Sequence, residues 1–143
     1  MVSAPIMVRD RGIKIEEVRR EQEGAYENYI RLTIKTEKQE RSVAGTVFAD
    51  GKPRVIQIKG INMEAEFSSH MLYITNQDKP GFIGRLGAAI GNHDANIATF
   101  ALGRKEAGSD AIALLAIDGP VSNELLMAIK ALDGVVQAKA LCF

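Results

Sequence analysis

A single cysteine, two histidines and no tryptophan occur among the 143 residues, and 18 basic side chains are matched by 18 acidic ones. The lone Cys142 excludes an intrachain disulfide and a cysteine-built metal cluster. Zero formal net charge removes the cationic excess on which nucleic-acid and anionic-membrane binding depend. The longest apolar stretch, Ala111 to Ile117, falls far short of the roughly 20 residues that a membrane span requires. At the N-terminus, MVSAPIMVRDRG lacks the charged region and apolar core of a signal peptide. There is no internal repeat and no low-complexity run. A cytoplasmic protein, without nucleic acid, membrane or metal among its partners, is expected.

What is present divides unevenly. Residues 1–68 carry 23 charged side chains and residues 69–143 carry 13, which places two packing units on either side of Ser68–Ser69. In the first, the charged segment from Ile13 to Tyr26 reads as a short exposed helix with Gly24 near its end. The runs YIRLTIKT (29–36), SVAGTVFA (42–49), RVIQIK (54–59) and INMEAEF (61–67) alternate with the period of half-buried strands, and Asp50-Gly51 predicts a hairpin between the second and third. An antiparallel sheet with one wet face follows.

The second unit begins with the apolar strand MLYIT (71–75). Asp78 is placed to cap, and Pro80 to open, a helix that carries Phe82, Ile83, Leu86 and Ile90 on one side. NIATFAL (96–102) and AIALLAI (111–117) flank a polar turn as a β-hairpin. Ser122 caps a helix with Leu125, Leu126, Ile129 and Leu132 inward, Asp133-Gly134 ends it, and the stretch from Val135 to Leu141 closes as a strand. The order is βαββαβ, the split unit of a ferredoxin-like sandwich in an α+β protein.

LYITNQDKPGFIGRLGAAIGNHDANIATFALGR, with Asp78-Lys79-Pro80-Gly81 followed by Ala95-Asn96-Ile97, resembles an ACT domain, a small amino-acid-sensing module. Upstream, VSAPIMVRDRGIKIEE and AGTVFADGKPRVIQIKGINMEAEF are similar to the end of the intervening, allosteric-substrate-binding domain of the long-form D-3-phosphoglycerate dehydrogenase family. The C-terminal VVQAKALCF continues the match. The resemblance implies a C-terminal regulatory fragment without catalytic residues: residues 1–68 as part of the intervening domain, residues 69–143 as the ACT domain. It also implies that the parent oxidises 3-phospho-D-glycerate with NAD toward L-serine. No GxGxxG turn occurs here, so NAD belongs to the catalytic domains of that parent chain and no cofactor is expected in this one. The glycines at 81, 84, 87 and 91 read as a small-residue helix face rather than a phosphate loop.

An amino-acid effector presents an ammonium and a carboxylate. Asp78 can accept from the first, and the N–H groups of Gly81, Phe82, Ile83 and Gly84 in the first helical turn can donate to the second. The resemblance implies L-serine, or a similarly small amino acid, bound between self-associated ACT domains with side-chain ligands at Asn76, Asp78 and Asn96. Asn76 departs from the aromatic or imidazole group frequent at its position. Asp78 and Asn96 sit at corresponding ends of neighbouring elements in this reading, so that they converge on one ligand, Asn96 coming from the same chain as Asp78 or from its partner. Each keeps a plainer alternative, Asp78 as helix cap and Asn96 as turn residue.

In the first unit, the family's use of cations to hold an anion points to Arg54, with Lys59 on the same strand. A solvated strand face is the alternative, and Glu66 stands where some relatives are basic. His70 and His93 read as solvated, and Cys142 as a buried or edge-strand thiol. Two other functions stay open: the regulatory region of an iron–sulfur L-serine dehydratase, and a free-standing ACT regulator.

Overall fold

A computed structural model of the chain describes residues 4–18 and 28–143. The alternating runs of the first unit form β1 (Ile30–Lys35), β2 (Glu40–Val47), β3 (Pro53–Ile58) and β4 (Ile61–Glu66), an antiparallel sheet in the order β1-β2-β3-β4. Asp50-Gly51 makes the expected hairpin. Gly51 is left-handed at φ 77° and donates to Phe48 O at 2.8 Å, while Asp50 Oδ1 accepts from the Lys52 N–H at 2.9 Å. The next turn is Lys59-Gly60, both left-handed (φ 50° and 77°), a pair whose twist matches the flanking strands.

The second unit runs β5 (His70–Gln77), α2 (Phe82–Gly91), β6 (Ile97–Arg104), β7 (Asp110–Ile117), α3 (Asn123–Lys130) and β8 (Val135–Cys142). Its sheet has the order β6-β7-β5-β8 with antiparallel neighbours throughout. This is the βαββαβ ferredoxin-like arrangement. Ser122 Oγ accepts from Leu125 N at 3.1 Å, the expected cap of α3.

One face of the second sheet, carrying Leu72, Ile74, Ala113 and Leu115, packs on Phe82, Leu86, Ile90, Leu125 and Ile129 from the helices. The other face, with Met71, Ile112 and Leu114, packs on Val55, Ile61, Met63 and Ala65 of the first sheet. Fully burying each large aliphatic side chain contributes about 1.5–3 kcal/mol. Gly103 on β6 permits the contact between sheets, because a Cβ there would lie 2.5 Å from Asn62 O and 2.7 Å from Ile61 Cγ2. The two units therefore share a core.

Several expectations change. Residues 13–18 of the expected exposed helix have no regular structure, and residues 19–27 lie outside the described residues. A helix appears earlier instead: α1 (Ala4–Asp10), with Pro5 in its first turn and Gly12 at φ 66° closing it as Ile13 N donates to Val8 O. β1 pairs as expected but is not half-buried. Ile30, Leu32 and Ile34 are 73, 64 and 69% exposed, because β4 and β3 occupy the cover that the second sheet offers. Ile83 does not face inward with Phe82, Leu86 and Ile90 but is exposed. Gly84, Gly87 and Gly91 face open space, so within one chain nothing makes the close approach expected of the small-residue face. Among the described residues no helix is long and apolar enough to cross a membrane, and no cluster of His, Cys, Asp and Glu could hold a metal.

Candidate functional site

The end of β5 is held from both sides. Gln77 N donates to Gly134 O at 2.8 Å and Asp78 N to Ser109 O at 2.9 Å, which fixes the loop between β5 and α2 where it leaves the sheet. Asn76, at the end of the strand, is 1% exposed. Its Nδ2 donates to Gln77 O at 2.9 Å, and its Oδ1 is buried without a partner among the described residues. An unpaired buried acceptor is costly, so Asn76 stores an unmet requirement for a donor at this end of the sheet.

Asp78 is not the cap of α2. The N-cap is Gly81, left-handed at φ 80°, with no side-chain cap. The Asp78 carboxylate turns instead to the loop between β6 and β7, where Oδ2 accepts from Arg104 Nη1 and from Gly108 N at 3.2 Å. The Arg104 guanidinium, then the Gly108 N–H, holds this carboxyl below its ordinary value. In the first turn of α2, Phe82 N donates to Lys79 O at 3.3 Å. Among the described residues nothing accepts from the N–H groups of Gly81, Ile83 or Gly84, which remain donors at the positive end of a helix dipole.

Asn96 lies elsewhere. It precedes β6, is exposed, and is tied to the far end of β7: Nδ2 donates to Asp118 Oδ2 at 2.6 Å, and Asp118 N donates to Asn96 O at 3.0 Å. β5 and β6 both run antiparallel to β7, so they point the same way, and Arg104 at the end of β6 is level with Asn76–Gln77. Asn96, at the start of β6, is about 25 Å from that level at the usual rise of a strand. Within one chain Asp78 and Asn96 do not converge. The same-chain form of the expectation fails because it aligned the end of one strand with the beginning of another that runs parallel to it; Asn96 from a partner chain is the form that is left.

The proposed anion site does not assemble either. Arg54 gives Nη1 and Nη2 to Asp50 (3.2 and 2.6 Å), and Nη2 also to Glu66 at 3.2 Å. Its guanidinium lies 4.3 Å from the centroid of Phe48. Hydrogen bonding to Asp50 raises its pKa further, and the fork is occupied. Lys59 is at the opposite end of β3, its Nζ 5.7 Å from the Tyr73 ring centroid. It lines a shallow open groove with Gln39, Glu40, Arg41, Ser42 and Gly60. Cys142 is exposed on the edge strand β8; His93 is exposed, with Nδ1 2.8 Å from Ala89 O. Sequence reasoning passed over Arg104, Gly108 and Asp118. Arg104 ends β6 at the edge of a polar turn, where a charged residue is unremarked until the fold brings Asp78 to it.

Residues 1–59 match the D-3-phosphoglycerate dehydrogenase intervening domain family, and residues 70–134 match the ACT domain family. The chain is 31% identical over 138 residues to the D-3-phosphoglycerate dehydrogenase of Bacillus subtilis and 33% identical over 140 residues to that of Archaeoglobus fulgidus. Each match covers 96% of this chain and 26% of the relative. It is also 21% identical over 127 residues to the "Probable L-serine dehydratase, beta chain" of Bacillus subtilis, covering 89% of this chain and 58% of that one. The chain thus spans about a quarter of the length of the dehydrogenases, is similar to their C-terminal regulatory region, and does not cover their catalytic domains.

Proposed function

We propose that this chain, an intervening-domain segment joined to an ACT domain, senses L-serine or a similarly small amino acid and does so as a self-associated regulatory part of a D-3-phosphoglycerate dehydrogenase. The observation that carries this reading is the loop after β5: a half-buried carboxylate, Asp78, four residues before the start of α2, whose Ile83 and Gly84 N–H groups have no acceptor among the described residues. That arrangement offers an acceptor to an ammonium and two donors to a carboxylate. The parent's oxidation of 3-phosphoglycerate with NAD, and a cytoplasmic location, belong to the same proposal.

A second copy completes the site. Among the described residues β6 is an edge strand with a free backbone side, and Phe100 and Leu102 are each 37% exposed on it. If two β6 strands pair antiparallel about a centre between Phe100 and Ala101, Arg104 comes level with the partner's Ile97. The Asp78 end of one protomer then lies level with the Asn96 end of the other. The roughly 25 Å that separates Asp78 from Asn96 along the strands within a chain becomes a lateral gap of three strand spacings, about 14 Å, between chains, which a small ligand and the two side chains would span. Of the two cations expected to hold a phosphorylated ligand, Lys59 lines the groove of the first unit and Arg54 does not.

Calorimetric titration with L-serine, glycine and 3-phosphoglycerate tests the reading. Asp78→Ala is expected to weaken serine binding roughly ten- to a hundredfold, the range for loss of a charge-assisted hydrogen bond. Arg54→Ala is expected to leave serine affinity unchanged. Equal serine affinity of Asp78→Ala and the parent sequence, both folded, would remove the site. The similarity to the dehydratase beta chain favours the same sensing role attached to a different enzyme, and the identity of the catalytic partner separates the two.

A further inference from the structure

The serine reading treats Asp78 as an open acceptor, yet its Oδ2 is already held by Arg104 Nη1 and Gly108 N. An ammonium arriving alone would place a second cation beside Arg104 on one carboxylate. Both partners nonetheless keep capacity. Among the described residues nothing donates to Asp78 Oδ1, and nothing accepts from Nε or Nη2 of Arg104, whose side chain is 53% exposed. An unused anionic acceptor and an unused cationic fork stand side by side at the end of the sheet.

Arg104 is also held firmly in place. Its strand neighbour Gly103 has no room to move toward the first sheet, since Asn62 O, Ile61 Cγ2 and Met63 Cε all crowd the space of a Cβ at 2.5–3.3 Å. On the other side Arg104 is paired in register with Ala111 of β7. The loop that follows is closed on itself, with Ser109 Oγ donating to Glu106 O at 2.7 Å and accepting from Glu106 N at 3.2 Å. The guanidinium therefore projects from a backbone fixed by both sheets.

From this we infer that Arg104 determines the specificity of the site: it joins the N–H groups of Ile83 and Gly84 in receiving the ligand's carboxylate while Asp78 receives the ammonium, so that the ion pair opens only to a molecule carrying both charges. The inference rests on the amino-acid-sensing reading and deepens it. Planar guanidinium suits the task because it can hold a carboxylate through two parallel N–H groups while a third stays near Asp78. A zwitterion replaces one complementary pair of charges with two. A lone amine is repelled by Arg104, and a lone carboxylate is repelled by Asp78. The ligand class is thus the free α-amino acid, with simple amines and hydroxy acids of the same size refused.

The test is titration of the full chain with L-serine, with serinol, which keeps the ammonium and lacks the carboxylate, and with 3-hydroxypropionate, which keeps the carboxylate and lacks the ammonium. The parent sequence should bind serine and neither analogue. Arg104→Gln should weaken serine roughly tenfold or more and at the same time strengthen serinol, a reversal of selectivity that loss of packing would not produce. Arg104→Lys, which restores charge without the fork, should again refuse serinol while recovering only part of the serine affinity. Sedimentation and thermal melting establish that the variants fold and associate as the parent does. If Asp78→Asn abolishes serine binding but Arg104→Gln leaves the serine-to-serinol ratio unchanged, the role given to Arg104 is wrong and the site stands. If Asp78→Asn binds serine as the parent does, the site itself is wrong and the role of Arg104 falls with it.

Discussion

The two units contain four antiparallel strands each, yet they bury them very differently. The second sheet is covered on one face by α2 and α3 and on the other by β3 and β4 of its neighbour, so that seven of the eight residues of β7 are buried. Among the described residues the second sheet covers the first at β3 and β4, and all six residues of β1 are exposed although Ile30, Leu32 and Ile34 alternate as a core strand would. Hydrophobic alternation specifies which side chains share a face. Whether that face is covered depends on what else packs there.

The sharpest way to break this comparison is to truncate one leucine in each sheet. Leu115→Ala, at 0% exposure, is expected to destabilise the chain by about 2–5 kcal/mol, whereas Leu32→Ala, at 64%, should fall within about 0.5 kcal/mol of the parent in denaturant unfolding. Equal losses at the two positions would mean that β1 is covered in solution. A second substitution probes the joint between the sheets. Gly103→Ala forces a Cβ against the backbone of β4 and should cost about 1–3 kcal/mol, with hydrogen exchange accelerating at β4 and β6 before β5 and β8. If Gly103→Ala melts as the parent does, the sheets are not packed as described.

How much of this was legible beforehand also differs between the units. In the second, every strand and both helices were readable, because a strand buried on two faces, such as β7, is a continuous apolar run and Ser122 marks the start of α3; the helix ends at Lys130, short of the expected stop at Asp133-Gly134. In the first, the strands were readable from alternation and from Asp50-Gly51, but α1 was passed over although Pro5 and Gly12 are its punctuation. The site was legible only in part. Asp78 and the α2 donors, which the proposed site uses, are local in sequence. Arg104 lies 26 positions from Asp78 and meets it only through the sheet order β6-β7-β5, which no local pattern encodes. Arg54 misled for the same reason, since the two carboxylates that occupy it are a turn residue and a residue of the adjacent strand.

Two smaller effects refine the contrast. Ser122→Ala removes the cap of α3 and should destabilise by about 1 kcal/mol, a cost confined to the second unit. Asp50 and Asp78 provide one acid-sensitive contact in each unit. Both carboxyls are held below the ordinary value of 3.8, Asp50 by hydrogen bonding to Arg54 and the Lys52 N–H, and Asp78 by Arg104 and the Gly108 N–H. A folded value below the unfolded one means that their stabilisation is fully present above pH 3.8 and is lost as the pH falls through the lower folded values. Carbon NMR titration of the two carboxyls should give midpoints below 3.8 for both, and a midpoint at or above it for either would show that its contact is not formed.

The central claim is that the amino-acid site is shared between two copies of the chain, with Asp78 from one and Asn96 from the other. Mixing two defective variants tests it directly. Asp78→Asn and Asn96→Ala should each bind L-serine poorly alone. After the two are unfolded together and refolded at equal concentration, each mixed pair contains one site with both native residues. Calorimetry should then recover about one quarter of the parent's serine sites, at parent affinity, by random pairing in a two-fold dimer. Recovery of none, with mixed dimers demonstrated by mass, would contradict a shared site.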